Sequence, residues 1–129
     1  MRHPLERGAL VVDAANVVGA RPDGWWRDRA GAARRLCEAL AASGGAGWDA
    51  VVVVLEGAAR AGADAGETGD VTVVHAPGSG DDTLVDECVR LVDAGVAVTL
   101  ASADRGLLAR VGGRVTALGP RTLRDLIGL

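Results

Sequence analysis

The sequence has no lysine, no phenylalanine and no tyrosine, and only one methionine and two cysteines in 129 residues. Without Phe or Tyr, and with three Trp, the core has to be built from Val, Leu and Ala, with 19 glycines for tight turns and close contacts. Without Lys, every cationic side chain other than the two His is Arg. A GC-biased coding preference explains this better than a functional liking for guanidinium. Cys37 and Cys88 each sit in an apolar helical pattern, which favours two buried thiols over a disulfide. The longest apolar runs, such as Ala50 to Leu55, are far too short to span a bilayer. The first eight residues carry Arg2, His3, Glu6 and Arg7 with no apolar stretch behind them, so no signal peptide is expected. A soluble, cytoplasmic protein with no membrane partner follows. The formal net charge of −3 is the wrong sign for a general nucleic-acid coat. It remains compatible with an enzyme whose acids cluster around metal ions.

What is present is an alternation of strands and helices. A first strand over roughly 9–14 runs Ala9-Leu10-Val11-Val12 into Asp13, the pattern of a buried strand that delivers polar groups at its carboxyl end. A loop with two adjacent Trp follows, then a helix over about 28–42, closed by Ser43-Gly44-Gly45. The β-branched run 50–55 is a second buried strand, handing over to Glu56-Gly57. Residues 57–70 read as a mobile loop with at most a short helix. A third strand, 71–75, is short enough to lie at or near a sheet edge. A helix over 81–93 has Leu84, Val85, Cys88, Val89, Leu91 and Val92 at helical spacing, with Ser79 or Asp81 placed to cap it. A fourth strand over 96–101 leads to Ser102-Ala103-Asp104 and a short helix to about 112. A fifth strand covers 114–118, and Pro120 opens the last helix. The expectation is one α/β domain over 1–129, a mainly parallel five-stranded sheet with helices on both faces.

Four acidic positions share one address in such a sheet: Asp13 after the first strand, Glu56 after the second, Asp81-Asp82 opening the third helix and Asp104 after the fourth strand. Ligands bind in the crevice beyond the strand ends where chain order reverses, which brings Asp13 and Asp104 together if their strands are neighbours. Clustered carboxylates repel unless a cation lies among them. Mg²⁺ or Mn²⁺ takes such oxygen ligands, keeps several waters, and can activate one of them against a phosphate. Each acid alone has a plainer explanation as a turn or capping residue; Glu56-Gly57 in particular reads as an ordinary turn. Independent caps, however, need not all lie on one edge of one sheet. Asn16 and Ser102 are polar groups able to orient ligands. Arg21, Arg27, Arg29 and Arg105 lie in loops on the same edge and could hold substrate phosphates. Trp25 and Trp26 are expected to anchor the loop or core in preference to stacking on a base. His75, with no second His nearby, is not expected to bind metal.

The strings Val-Val-Asp-Ala-Ala-Asn-Val-Val-Gly, Asp-Gly-Trp-Trp-Arg-Asp-Arg, His-Ala-Pro-Gly-Ser-Gly-Asp-Asp-Thr and Ser-Ala-Asp-Arg-Gly-Leu, in that order, resemble the small actinobacterial, YacP-like NYN-domain proteins of the PIN-like nuclease superfamily. The resemblance extends over nearly the whole chain. It implies a PIN-like Rossmannoid three-layer sandwich and a metal-dependent nuclease that acts mainly on RNA. It also implies Asp13, Asp82 and Asp104 as the catalytic acids, with Asn16 and Ser102 as accompanying polar positions. Glu56 departs from the Asp that relatives often carry after the second strand. The resemblance leans to Asp82, whereas helical spacing puts Asp81 above Leu84, Val85 and Cys88 on the sheet-facing stripe. Two other readings remain open: a nucleotide pyrophosphohydrolase, and a non-catalytic RNA-binding or interaction module that keeps the fold. The Ala-rich exposed surface is compatible with a homodimer.

Overall fold

A computed structural model describes residues 8–129. Arg2, His3, Glu6 and Arg7, on which the signal-peptide expectation rests, lie outside the described residues. In chain order the elements are β1 (Ala9–Asp13), α1 (Ala14–Val18), α2 (Arg29–Ala42), β2 (Ala50–Leu55), β3 (Gly66–Thr68), β4 (Val71–His75), α3 (Gly80–Asp93), β5 (Val98–Ala101), α4 (Arg105–Val111), β6 (Val115–Leu118) and α5 (Pro120–Leu126). Short 3-10 turns occupy Trp25–Arg27, Gly45–Gly47 and Gly57–Gly62.

The strands form one sheet in the order β3-β4-β2-β1-β5-β6. All pairings are parallel except β3 with β4. β1 lies at the centre, with Ala9 level with Ala50 on one side and Val98 on the other. Alternation along the central strands divides the core into two layers. Leu10, Val12, Val51, Val53 and Leu55 face one side, where they pack with Val17 of α1, Leu36 and Leu40 of α2 and Leu123 of α5. Val11, Val52, Val54, Val98 and Leu100 face the other, against Leu84 and Cys88 of α3 and Leu107 of α4. Both faces of the strands are thus buried, which explains why they are continuous apolar runs. Each buried Val or Leu contributes about 1.5–3 kcal/mol, so these layers supply the stability that the missing aromatics do not.

The sheet has six strands, not five. The additional strand, β3, lies within 57–70 and pairs antiparallel with β4, Thr68 opposite Val71. Gly69 and Asp70 form the two-residue connection, and Gly69 has φ +60°, as such tight hairpins require. β3 is exposed at all three positions, so it carries no buried pattern that would announce it, yet it covers the edge of β4. The rest of 57–70 includes the 3-10 turn packed on α2. The first strand stops at Asp13 because Ala14 begins α1, and the strand expected over 96–101, which is β5, begins at Val98.

Cys37 and Cys88 are free thiols. Cys88 belongs to the layer beneath α3, whereas Cys37 packs half-buried on the α2 side, so the sheet separates them. Burial raises both thiols, Cys88 to about 11, which keeps them unreactive near neutral pH. Among the described residues no helix is long and apolar enough to cross a membrane.

Gly62 fixes how the 3-10 turn sits on α2. A Cβ there would run into the carbonyl oxygen of Ala30 and press on the Ala33 Cβ and the Arg34 backbone nitrogen. Because the obstruction is helix backbone, Gly62→Ala is expected to destabilise the protein by about 1–3 kcal/mol, read as a lower urea midpoint with an unchanged m-value.

Candidate active site at the carboxyl ends of β1, β2 and β5

Chain order reverses between β1 and β5, and the site is built there. Asp13 is both the last residue of β1 and the cap of α1. Its Oδ1 accepts the Asn16 backbone N–H at 3.3 Å, and its Oδ2 accepts the Ser102 hydroxyl at 2.8 Å. The Ser102 Oγ in turn accepts the Asp104 backbone N–H at 3.1 Å. The Asn16 side-chain oxygen accepts the Ala103 backbone N–H at 2.9 Å. Two loops 89 residues apart in sequence are therefore stitched together by side chains that sit where the strands deliver them.

Glu56 ends β2 and reaches across to α3, where its Oε2 accepts the Gly80 backbone N–H at 2.7 Å. A carboxylate on the first N–H of a helix is favourable. It also holds the start of α3, and with it Asp81, beside the strand ends. Ser79 caps this helix through the Asp81 N–H.

Asp13 is 7% exposed, and its carboxyl titrates above the ordinary aspartate value. Burial is the main cause; the hydrogen bonds from Ser102 and Asn16 oppose it, and the negative charges of Asp81 and Glu56 add to it. The charges of Glu56 and Asp81 are thus both felt at Asp13. Among the described residues no Arg or His forms an ion pair with any of the three.

The other predicted positions are placed differently. Asp82 points away: its side chain is 82% exposed and its Oδ1 pairs with the Arg110 guanidinium of α4 at 2.8 Å. Of the two neighbouring acids, helical periodicity brings Asp81 to the cluster and leaves Asp82 on the outer face. Asp104 caps α4, its Oδ1 accepting the Leu107 N–H at 3.0 Å, and joins the group through Ser102. Ser102 is 2% exposed, and its hydrogen bonds run to Asp13 and to the Asp104 backbone. It orients Asp13 and has no surface with which to touch a substrate. Arg21 pairs with Asp125 of α5 at 3.4 Å. The Arg27 guanidinium lies 5.9 Å from the centre of the Trp26 ring, and that of Arg29 lies 4.8 Å from the centre of Trp25. Arg105 is exposed at the start of α4. Trp25 is half-buried against the core, with Trp26 edge-on to it. His75 Nε2 lies 2.7 Å from the Ala63 carbonyl oxygen.

The donors fit a hard cation in chemistry: all are carboxylate oxygens, and Glu56 Oε1 and Asp104 Oδ2 are left over from the hydrogen bonds above. Among the described residues no three His, Cys, Asp or Glu side chains close into a cage around one point.

Two features have no counterpart in the sequence reading. Arg124 of α5 is buried. Its Nη1 donates to the Val17 carbonyl at the end of α1 at 3.1 Å, and its Nη2 to Asp23 at 3.4 Å. A cleft of about 400 Å³ opens beside the acids, between α1, α2, the 57–62 turn and the loop before α3.

No protein-family profile and no curated protein matches the chain. Among solved structures it is similar to Rae1 (YacP) from Bacillus subtilis, with a TM-score of 0.68 and 20% sequence identity, over 92% of this chain and 74% of that one. The likeness is one of fold: a three-layer α/β sandwich with a mostly parallel sheet.

Proposed function

We propose that the chain is a metal-dependent nuclease, an endoribonuclease that hydrolyses phosphodiester bonds in RNA. The observation that carries this reading is the unneutralised acid group itself. A carboxyl made harder to ionise by burial, and to a lesser degree by the charges of Asp81 and Glu56, is costly for a fold to keep, and groups perturbed in this way cluster at functional sites. Asp13, Glu56 and Asp81 would hold Mg²⁺ or Mn²⁺, partly through water, with Asp104 at the border of the site. A cation there supplies an activated water and offsets charge on the scissile phosphate. The protein's own residues do the rest: Ser102 and the Asn16 N–H fix both oxygens of Asp13, Glu56 fixes the head of α3, and Arg27 and Arg105 offer guanidinium groups to flanking phosphates. No side-chain general base is required at the site.

The test is incubation of an end-labelled single-stranded oligoribonucleotide of about twenty residues with Mg²⁺, with Mn²⁺ or with EDTA, beside a panel of free nucleoside triphosphates. Internal cleavage that needs the metal is expected. Turnover of triphosphates without polymer cleavage would assign a nucleotide pyrophosphohydrolase instead, and RNA binding without hydrolysis would assign a non-catalytic module.

Asp81 and Asp82 provide an internal control, since both lie in the first turn of α3 and interact alike with its dipole. Asp81→Asn is expected to lower the cleavage rate by about 10–100-fold, the scale on which loss of a metal-site partner acts. Asp82→Asn, which breaks only an exposed ion pair with Arg110, should stay within about twofold of wild type. Initial rates at saturating Mg²⁺ for the two variants measure this directly.

A further inference from the structure

The cleft beside the acids shares Glu56 with them, but neither Asp13 nor Asp81 lines it. Ala15 and Ala59 give it apolar walls, Trp25 and Arg29 flat ones, and Glu56 and Ser79 complete it. We infer that it is a base-binding subsite, which takes one unstacked nucleobase of the RNA strand whose phosphate lies at Asp13. This inference rests on the nuclease reading and adds to it how the strand is presented.

Four observations point to a base. Its volume of about 400 Å³ falls in the range of small-molecule sites; it can admit a single base but not a duplex. Two of its lining side chains are an indole and a guanidinium, Trp25 and Arg29, with 4.8 Å between the Arg29 carbon and the Trp25 ring centre. These are the two surfaces on which proteins stack unpaired RNA bases. The small side chains of Ala15 and Ala59, with Gly57 and Gly78, keep the space between the flat walls and the acids open. Glu56 belongs to both places: it lines the cleft, and its charge is felt by Asp13. A ligand in the cleft therefore sits one side chain away from the acid group, the relation of a base to its own backbone phosphate. A base carries N–H groups on its edge that can donate to the Glu56 carboxylate beside its bond from Gly80, which an aliphatic ligand lacks.

The subsite predicts a substrate that is unpaired at the cleaved position, because a base held in a helix cannot reach the cleft.

The test is equilibrium binding of a fluorescein-labelled hexaribonucleotide in EDTA, where no cleavage occurs, together with hexamers carrying one abasic residue at each position in turn. Ala15→Leu fills the cleft from an exposed position of α1, where Leu is a good helix former, so it blocks the cleft without disturbing the core. Trp25→Leu removes the indole. Each is expected to weaken binding by about 5- to 150-fold, the scale of one base–aromatic stack. In wild type one abasic position should reproduce that loss, and in Ala15→Leu the same position should cost nothing further. Wild-type affinity in both variants, and at every abasic position, would overturn the subsite. Metal-dependent cleavage of the longer RNA, scored separately, would still stand in that case, so the two failures are distinguishable.

Discussion

Asp13→Asn is expected to slow RNA cleavage by on the order of 10²–10³-fold while leaving the metal-free protein at least as stable as wild type. Asn is isosteric: its Oδ1 can keep the Asn16 N–H, and its Nδ2 can donate to the Ser102 hydroxyl, so the change removes a charge and reverses one hydrogen bond. A bound cation contributes several kcal/mol of charge stabilisation at the transition state. Losing the most buried acid of its site should therefore cost on the order of 10²–10³-fold in kcat. Stability moves in the opposite direction. The Asp13 carboxyl holds its proton more tightly in the folded chain than in the unfolded one, because burial and the charges of Asp81 and Glu56 disfavour its ionised form. Its contribution to stability is thus fully present below the unfolded-state value and is lost as pH rises through the raised folded-state value. In EDTA, wild type should lose thermal stability relative to Asp13→Asn on going from acid to neutral pH. Saturating Mg²⁺ should reverse the order at pH 7, since a ligand stabilises only the form that binds it. Thermal melts of both proteins over pH 4–7.5, with and without Mg²⁺, provide the check.

The second large effect concerns Arg124, which has no part in the chemistry. Its side chain is 5% exposed, and it joins α5 to the last turn of α1 and to the loop carrying Trp25. Arg124→Ala removes two hydrogen bonds from a charged donor, strips the Val17 carbonyl of its partner and leaves a cavity. Such losses together cost about 2–4 kcal/mol. Arg124→Met is the informative comparison. It keeps the packing of the stem, and it also removes the buried Nε, which has no hydrogen-bond partner. Met should therefore recover roughly half of the loss. Urea unfolding of the three proteins measures the differences. If the Arg–Val17 link matters as described, Arg124→Ala should also loosen the 19–28 loop and weaken hexamer binding in parallel with its stability.

The parts of the fold that could be read from sequence were those in which burial writes itself as a pattern. The run Leu10-Val11-Val12-Asp13 and the run Val51-Val52-Val53-Val54 are apolar because both faces of the sheet are covered, so β1, β2 and their position at the centre were legible. So was the common edge of Asp13, Glu56 and Asp81, which follows from parallel strands that all end on the same side. The choice between Asp81 and Asp82 was not legible: helical spacing puts Asp81 above Leu84, Val85 and Cys88, the resemblance leans to Asp82, and periodicity alone does not decide between them.

The illegible parts have different physical reasons. β3 is three exposed residues held by pairing with β4 alone; its one signal was Gly69-Asp70, a two-residue turn between short polar and apolar segments. α1 is a single turn, and its cap is the same Asp13 that ends β1, so one residue closes one element and opens the next. Arg124 stands in a helix that reads as amphipathic, and its burial depends on a carbonyl 107 residues away. The cleft is defined by small side chains at Ala15, Gly57, Ala59 and Gly78, and empty space has no sequence pattern. Ser102 was legible as a polar residue beside Asp13, but only the geometry separates orienting that carboxylate from touching a substrate.

Calorimetric titration of Mn²⁺ into the metal-free protein at pH 7.5, beside the same titration of Asp13→Asn, addresses the acid group most directly. Saturable binding to wild type that is lost in the variant is the predicted result. No divalent-ion binding to wild type, or equal binding to both proteins, would contradict the metal site at the ends of β1, β2 and β5.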